Sequence, residues 1–269
     1  MSEYLIIIPL LFLAGFVDSI AGGGGLISLP AYILAGYPPH QAIASNKFSA
    51  CLGTTASTAR FFAKGYMQVD VPIYIIFALL GSNLGSRLTV RINETYFKYA
   101  MLIVLPLVAA VSFYYQKKQK SVKEQGNSKD TSSSANAPEP KLKFSEISRK
   151  QIMVASLISL VVGLYDGLYG PGTGTFLIIL LNHFAHFSIQ RSAASTKAIN
   201  LASNVGSLVY FLTTDLIQYR IAVVGAIFCF AGHYIGSGLV IKDGEKYVRP
   251  LILIVLGLLF IQLISELFL

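Results

Sequence analysis

Two glycine-rich interruptions in otherwise apolar sequence constrain this chain more than any other feature. In the first, Gly15-Phe16-Val17-Asp18 leads into Gly22, Gly23, Gly24 and Gly25, and an apolar run follows from Leu26 to Pro30. In the second, Gly163-Leu164-Tyr165-Asp166 leads into Gly170-Pro171-Gly172-Thr173-Gly174-Thr175, followed by Phe176 to Leu181. A glycine in a helix interior costs about 1 kcal/mol relative to alanine, and irregular backbone in hydrocarbon leaves costly unsatisfied polar groups. Such breaks persist where protein encloses them or where they line a cavity. Paired breaks in corresponding halves of a chain point to a transporter binding site.

The rest of the sequence makes hydrocarbon the expected solvent. Of 269 residues, 54% are hydrophobic and 13% charged, which excludes ordinary soluble domains and predicts an all-α polytopic membrane protein. Apolar runs fall near 4–21, 45–63, 71–88, 97–115, 151–168, 193–213, 219–240 and 247–268, giving about eight membrane segments. The runs that begin at Leu26 and Thr175 are too short to span and predict half-helices. Met1-Ser2-Glu3 lacks the basic start of a signal peptide, so the first run is expected to be a retained helix. Cys51 and Cys229 lie within apolar runs with no motif spacing and are expected to be packing residues.

The two halves align beyond the breaks. At an offset of 150, Ala44-Ser45-Asn46-Lys47 falls on Ala194-Ser195-Thr196-Lys197; at 151, Gly81-x-x-x-Gly85-Ser86 meets Gly232-x-x-x-Gly236-Ser237. The expected organisation is a repeat over 1–115, a linker over 116–150 and a second repeat over 151–269, each repeat a glycine-broken first helix plus three spanning helices. The linker holds nine Lys or Arg against four Asp or Glu, hence +5 of the formal charge of +8, and has few large apolar residues. It is expected to be disordered and cytoplasmic, with the basic excess serving orientation rather than nucleic-acid binding. If the broken elements turn back, Arg60, Lys64, Arg191, Lys242, Lys246 and Arg249 join the linker on one side, leaving Arg87, Arg91, Lys98 and Arg220 on the other. If they cross, the charge divides evenly. The re-entrant arrangement satisfies the positive-inside rule better and makes the repeats inverted.

A half-helix that starts after a glycine break presents unpaired N–H groups and the positive end of its dipole, for which an oxyanion is the natural ligand. Gly24, Gly25 and Leu26 in one half, with Gly174, Thr175 and Phe176 in the other, are the candidate cradle, to which Thr173 and Thr175 add hydroxyl donors. The bland alternative is glycine for close helix crossing. Lys47 and Lys197 recur at equivalent positions near the expected start of a helix, where they either balance a substrate's charge or snorkel to the interface. Asn46, Asn200 and Asn204 are further polar candidates on the same helices. Asp18 and Asp166 precede the breaks and either pair with the lysines, exchange a coupled proton or cap the break. His183 and His186 lack partners at metal-ligand spacing, so an interfacial pair is expected and no metal or cofactor. Neither glycine cluster has the context of a phosphate loop, and no His-Glu-x-x-His or Gly-x-Ser-x-Gly motif occurs, so a non-enzyme is expected.

Taken together, Gly15-Phe-Val-Asp-Ser-Ile-Ala-Gly-Gly-Gly-Gly-Leu, Asn46-Lys47, Gly163-Leu-Tyr-Asp-Gly-Leu-Tyr-Gly-Pro-Gly-Thr-Gly-Thr-Phe and Thr196-Lys-Ala-Ile-Asn-Leu-Ala-Ser-Asn resemble the signature stretches of the TauE/SafE family. The resemblance covers both halves and omits only the linker. It implies a cell-membrane transporter of sulfite, organosulfonates or related small anions. Pro171 and Thr173 depart from a plain glycine run, which argues against a strictly symmetric site. The expected function is export of a small anion by alternating access, with proton or cation coupling and possible homo-oligomers. The alternatives are a carboxylate or cation-coupled importer, an anion channel and a non-transporting scaffold.

Overall fold

Each glycine cluster halts one helix and starts a shorter one. A computed structural model describes residues 2–92 and 140–243, which form eight α-helices and one 3-10 turn, with no strand among the described residues. The helices are α1 (Ser2–Ala21), α2 (Gly25–Leu34), α3 (Pro39–Ala63), α4 (Val71–Thr89), α5 (Arg149–Leu168), α6 (Thr173–Phe184), α7 (Ile189–Phe211) and α8 (Tyr219–Asp243). The expected segments 97–115 and 247–268, residues 116–139 of the linker, and Lys98, Lys246 and Arg249 lie outside the described residues. Helix α1 stops where Gly22 takes a φ of +78°, and α5 stops ahead of Gly170 at +100° and Gly172 at +78°. These are left-handed conformations that side-chain-bearing residues rarely adopt.

Helices α3 and α7 begin earlier than their apolar runs suggest, at Pro39 and Ile189 rather than near 45 and 193. Their first turns are polar, so hydropathy hides them. The start signals are local: proline at the head of α3, and Ser188 accepting a hydrogen bond from the Arg191 N–H at 3.0 Å in α7. As a result Lys47 and Lys197 are each the ninth residue of their helix rather than near its start. Both are only 2% exposed, so neither snorkels to an interface.

Among the described residues, four helices are long and apolar enough to cross a membrane: Glu3–Ala21, Val71–Thr89, Arg149–Leu168 and Tyr219–Ile241. Helix α1 packs on α8 and α4 on α5; α3 lies against α8, α7 against α4, and α3 and α7 meet each other. Both Gly-x-x-x-Gly stripes sit in the tightest of these contacts. A Cβ on Gly81 would lie 2.2 Å from the Leu160 carbonyl oxygen, and one on Gly232 would lie 2.1 Å from that of Phe12. Exposed Leu5, Leu80, Leu84, Leu157, Val161 and Ile227 give the outer helices apolar outward faces. The polar residues of α3 and α7 are turned inward instead. Ser45, Asn46, Lys47 and Ser57 on α3, and Lys197, Asn200, Ser203 and Asn204 on α7, are all buried.

Each half-helix turns back along the helix before it. Tyr37, just beyond α2, donates its hydroxyl to Glu3 in the first turn of α1 at 2.8 Å. Gln151 in the first turn of α5 likewise donates to the Ala185 carbonyl, just beyond α6, at 3.1 Å. The two hairpins open toward opposite ends of the bundle. Gln68, in the turn from α3 to α4, bonds the Pro140 carbonyl at 3.3 Å and the Leu142 N–H at 3.0 Å, on the approach to α5. At the other end the Gln218 N–H, in the turn from α7 to α8, bonds Ser45 Oγ near the head of α3 at 3.0 Å.

Candidate functional site

The tips of the two hairpins meet. A Cβ on Gly22 would lie 2.3 Å from the Gly174 carbonyl carbon, so only two glycines permit this approach. Thr175 locks it: its N–H donates to the Gly22 carbonyl at 3.1 Å and its hydroxyl to the Ala21 carbonyl at 2.8 Å. The carbonyls freed by the first break are therefore satisfied by the head of the second half-helix, as buried polar backbone requires.

Beside this contact is a small cavity, with about 30 Å³ open to the centres of water-sized molecules. Its wall includes Asp18, Gly24, Gly25, Asn46, Lys47, Asp166, Thr173, Asn200 and Asn204. Nine of the residues singled out in the sequence thus share one wall. Four others lie nearby with different work. Thr175 ties the two breaks, and Gly174 forms the glycine contact. The Leu26 N–H is engaged by the Gly23 carbonyl at 3.1 Å. Lys197 donates to the Asp18 carbonyl at 2.8 Å from behind the wall.

The charged groups pair across the halves. Lys47 Nζ lies 2.7 Å from Asp166 Oδ2, with both side chains almost fully buried, and also donates to Asn204 Oδ1 at 3.3 Å. Asp166 accepts further bonds from the Thr173 hydroxyl at 2.8 Å and from the Ser203 hydroxyl. Asp18 accepts from the Gly24 N–H at 2.9 Å and from Asn200 Nδ2 at 3.3 Å. Of the expected open amides in the first break, that of Gly24 is thus occupied by a carboxylate. Gly25 lines the cavity, and its N–H makes no hydrogen bond among the described residues. The site offers an incoming oxyanion that amide, the Lys47 ammonium and the amides of Asn46, Asn200 and Asn204.

Sequence reasoning missed part of the cavity lining. Ser28, Ala50, Cys229 and His233 also line it, and Ser203 binds Asp166 from the side. The available signal was His233 itself, an ionisable residue in an apolar helix, but it lies within a Gly-x-x-x-Gly stripe that reads as packing alone. No group of His, Cys, Asp or Glu suited to a metal ion occurs among the described residues. His183 makes an edge contact with Phe184, ring centroids 4.8 Å apart.

A family model described as Sulfite exporter TauE/SafE matches residues 7–263. The chain is 30% identical over 258 residues to the "Probable membrane transporter protein ORF9" of a Sinorhizobium species, covering 95% of this chain and 90% of that protein. It is 31% identical over 248 residues to a "Probable membrane transporter protein" of Haemophilus influenzae, covering 90% and 87%. It is 30% identical over 259 residues to the "Probable membrane transporter protein YfcA" of Escherichia coli K12, covering 94% and 87%. No solved structure matches the chain significantly. With its apolar helices and a family match over nearly its whole length, the chain is a multi-pass membrane protein that belongs to the sulfite exporter TauE/SafE family of transporters.

Proposed function

We propose that this protein is a secondary transporter that exports a small sulfur oxyanion, such as sulfite or an organosulfonate, across the cell membrane. Two inverted repeats would expose the cavity alternately to each side. The observation that carries the reading is the convergence of two hairpins, opening at opposite ends of the bundle, on one wall that holds an open amide and a buried lysine. The helix pairing also supports a repeat, because α1 on α8 mirrors α5 on α4, and α3 on α8 mirrors α7 on α4. Arg60, Lys64, Lys141, Lys143, Arg149 and Lys150 belong to the end where the α5–α6 hairpin opens, against Arg87, Arg91 and Arg220 at the other. By the positive-inside rule the former end is cytoplasmic.

In this reading the Gly25 amide and the N-terminal ends of α2 and α6 hold the oxyanion, while Lys47 and Lys197 offset its charge. Asp166 is engaged by Lys47, so proton coupling belongs on the Asp18 side of the cavity. The test is flux in liposomes reconstituted with purified protein. Sulfite or methanesulfonate flux that short carboxylates fail to compete away, and that K47A/K197A abolishes while still inserting, is expected. Flux of carboxylates alone, or no flux of any anion, overturns the proposal.

A further inference from the structure

Resting on the transport reading above, we propose that His233 is the proton-binding group of the cavity: each monovalent anion that enters is accompanied by one proton, taken up on the His233 imidazole facing Asp18. The first argument is charge. Two carboxylates, Asp18 and Asp166, and two ammonium groups, Lys47 and Lys197, occupy or touch the wall, so it is balanced while the histidine is neutral. An anion entering alone would leave one uncompensated buried charge, which low-dielectric surroundings strongly oppose. A proton entering with it restores the balance.

Geometry decides where that proton goes. Asp166 already accepts from Lys47, Thr173 and Ser203, and Asp18 from Gly24 and Asn200. Protonating either carboxylate would set a new O–H against existing donors. His233 is the opposite case. It is 1% exposed, its Nε2 lies 3.4 Å from Asp18 Oδ2, and its Nδ1 lies 3.1 Å from Ser57 Oγ. Ser57 in turn reaches the Thr54 carbonyl at 3.1 Å. In the neutral ring Nδ1 accepts from Ser57, and Nε2–H faces Asp18 Oδ2 at ion-pair range. When a proton binds at Nδ1, the Ser57 hydroxyl rotates to donate to Thr54 and accepts from Nδ1–H. Nδ1 keeps a partner in both forms and the charged ring has Asp18 as its counter-ion, so the ring can load and unload without stranding Nδ1.

The place for the ring is also specific to this half. A Cβ on Gly53 would lie 2.5 Å from His233 Cδ2, so glycine on α3 makes the slot. At the offsets that align the halves, Gly53 corresponds to Ser203 and His233 to Ser82, and there a serine hydroxyl meets Asp166 instead. The charged groups that face the ring are Asp18 from α1 and Lys197 from α7, with Lys47 of α3 and Asp166 of α5 across the cavity. Further along α3, Arg60 donates to the Tyr234 carbonyl.

The experiment measures proton uptake in weakly buffered detergent solution as methanesulfonate, a permanent monoanion, is titrated into the purified protein. Wild type should take up about one proton per anion bound, and its Kd should rise about tenfold per pH unit on the alkaline side. H233Q should show neither the uptake nor the slope. Binding by wild type without proton uptake, or the same uptake in H233Q, overturns the assignment. If H233Q is too unstable to assay, histidine-labelled wild type decides by NMR: one ring should pass from neutral to imidazolium as methanesulfonate binds, and unchanged rings overturn the proposal. A wild type that binds no sulfur oxyanion defeats the transport reading itself, and this inference with it.

Discussion

Lys47 of α3 and Asp166 of α5 form an ion pair at 2.7 Å between the two halves of the chain, with both side chains almost fully out of solvent. Removing one partner strands the other, at a cost of about 3–5 kcal/mol, whereas replacing both with apolar groups of similar size can be nearly neutral. K47M and D166L should each lower the melting temperature in detergent sharply. K47M/D166L should recover much of that loss yet remain inactive in liposomes. Full activity in the double variant would mean that the pair only holds the fold.

The opposed hairpins make a prediction about sidedness. In a background with Cys51 and Cys229 replaced by serine, K64C on the exposed turn after α3 and R220C in the exposed first turn of α8 lie at opposite ends of the bundle. An impermeant maleimide applied to intact cells should label R220C and spare K64C, and the pattern should reverse in inside-out vesicles. Labelling of both from one side would contradict inverted repeats.

A second buried ion pair sits at the end of the bundle where the α5–α6 hairpin opens. Arg191 Nη2 lies 2.6 Å from Asp70 Oδ2 and its guanidinium stacks over the Phe187 ring at 3.8 Å; Tyr74 also donates to Asp70. This links the N-terminus of α4 to that of α7. D70N should destabilise the protein by about 3–5 kcal/mol, because the arginine is left buried and unpaired. A melting temperature within a degree of wild type would show that water reaches the pair.

The contact between the breaks tolerates no side chain. G22A would force a φ of +78° on a residue with a Cβ, costing about 1–3 kcal/mol, and would drive that Cβ into Gly174, at a further cost of about 1–3 kcal/mol. The variant should melt well below wild type and lose anion-dependent stabilisation. Normal anion response would show that the tips need not touch.

Sequence carried the breaks, the half-helices and most of the cavity wall, because glycine at positive φ and lysine in an apolar setting leave few alternatives. What it hid has physical reasons. The heads of α3 and α7 are polar, so hydropathy starts both helices late and puts Lys47 and Lys197 near helix ends when they lie deep inside. Which acid meets which base depends on packing between halves, so the Lys47–Asp166 pair was one option among several. The role of Thr175 depends on a carbonyl freed 153 residues earlier at Gly22. His233 was overlooked because the glycines around it have a sufficient packing explanation.

The account centres on one anion held between both breaks, and the most direct test counts anions bound per chain by calorimetry with methanesulfonate. One site per chain is expected, weakened about tenfold, or about 1.4 kcal/mol, by G25A from the first break and again by T173V from the second. Two independent sites per chain, or a single site that responds to only one of these substitutions, would contradict it.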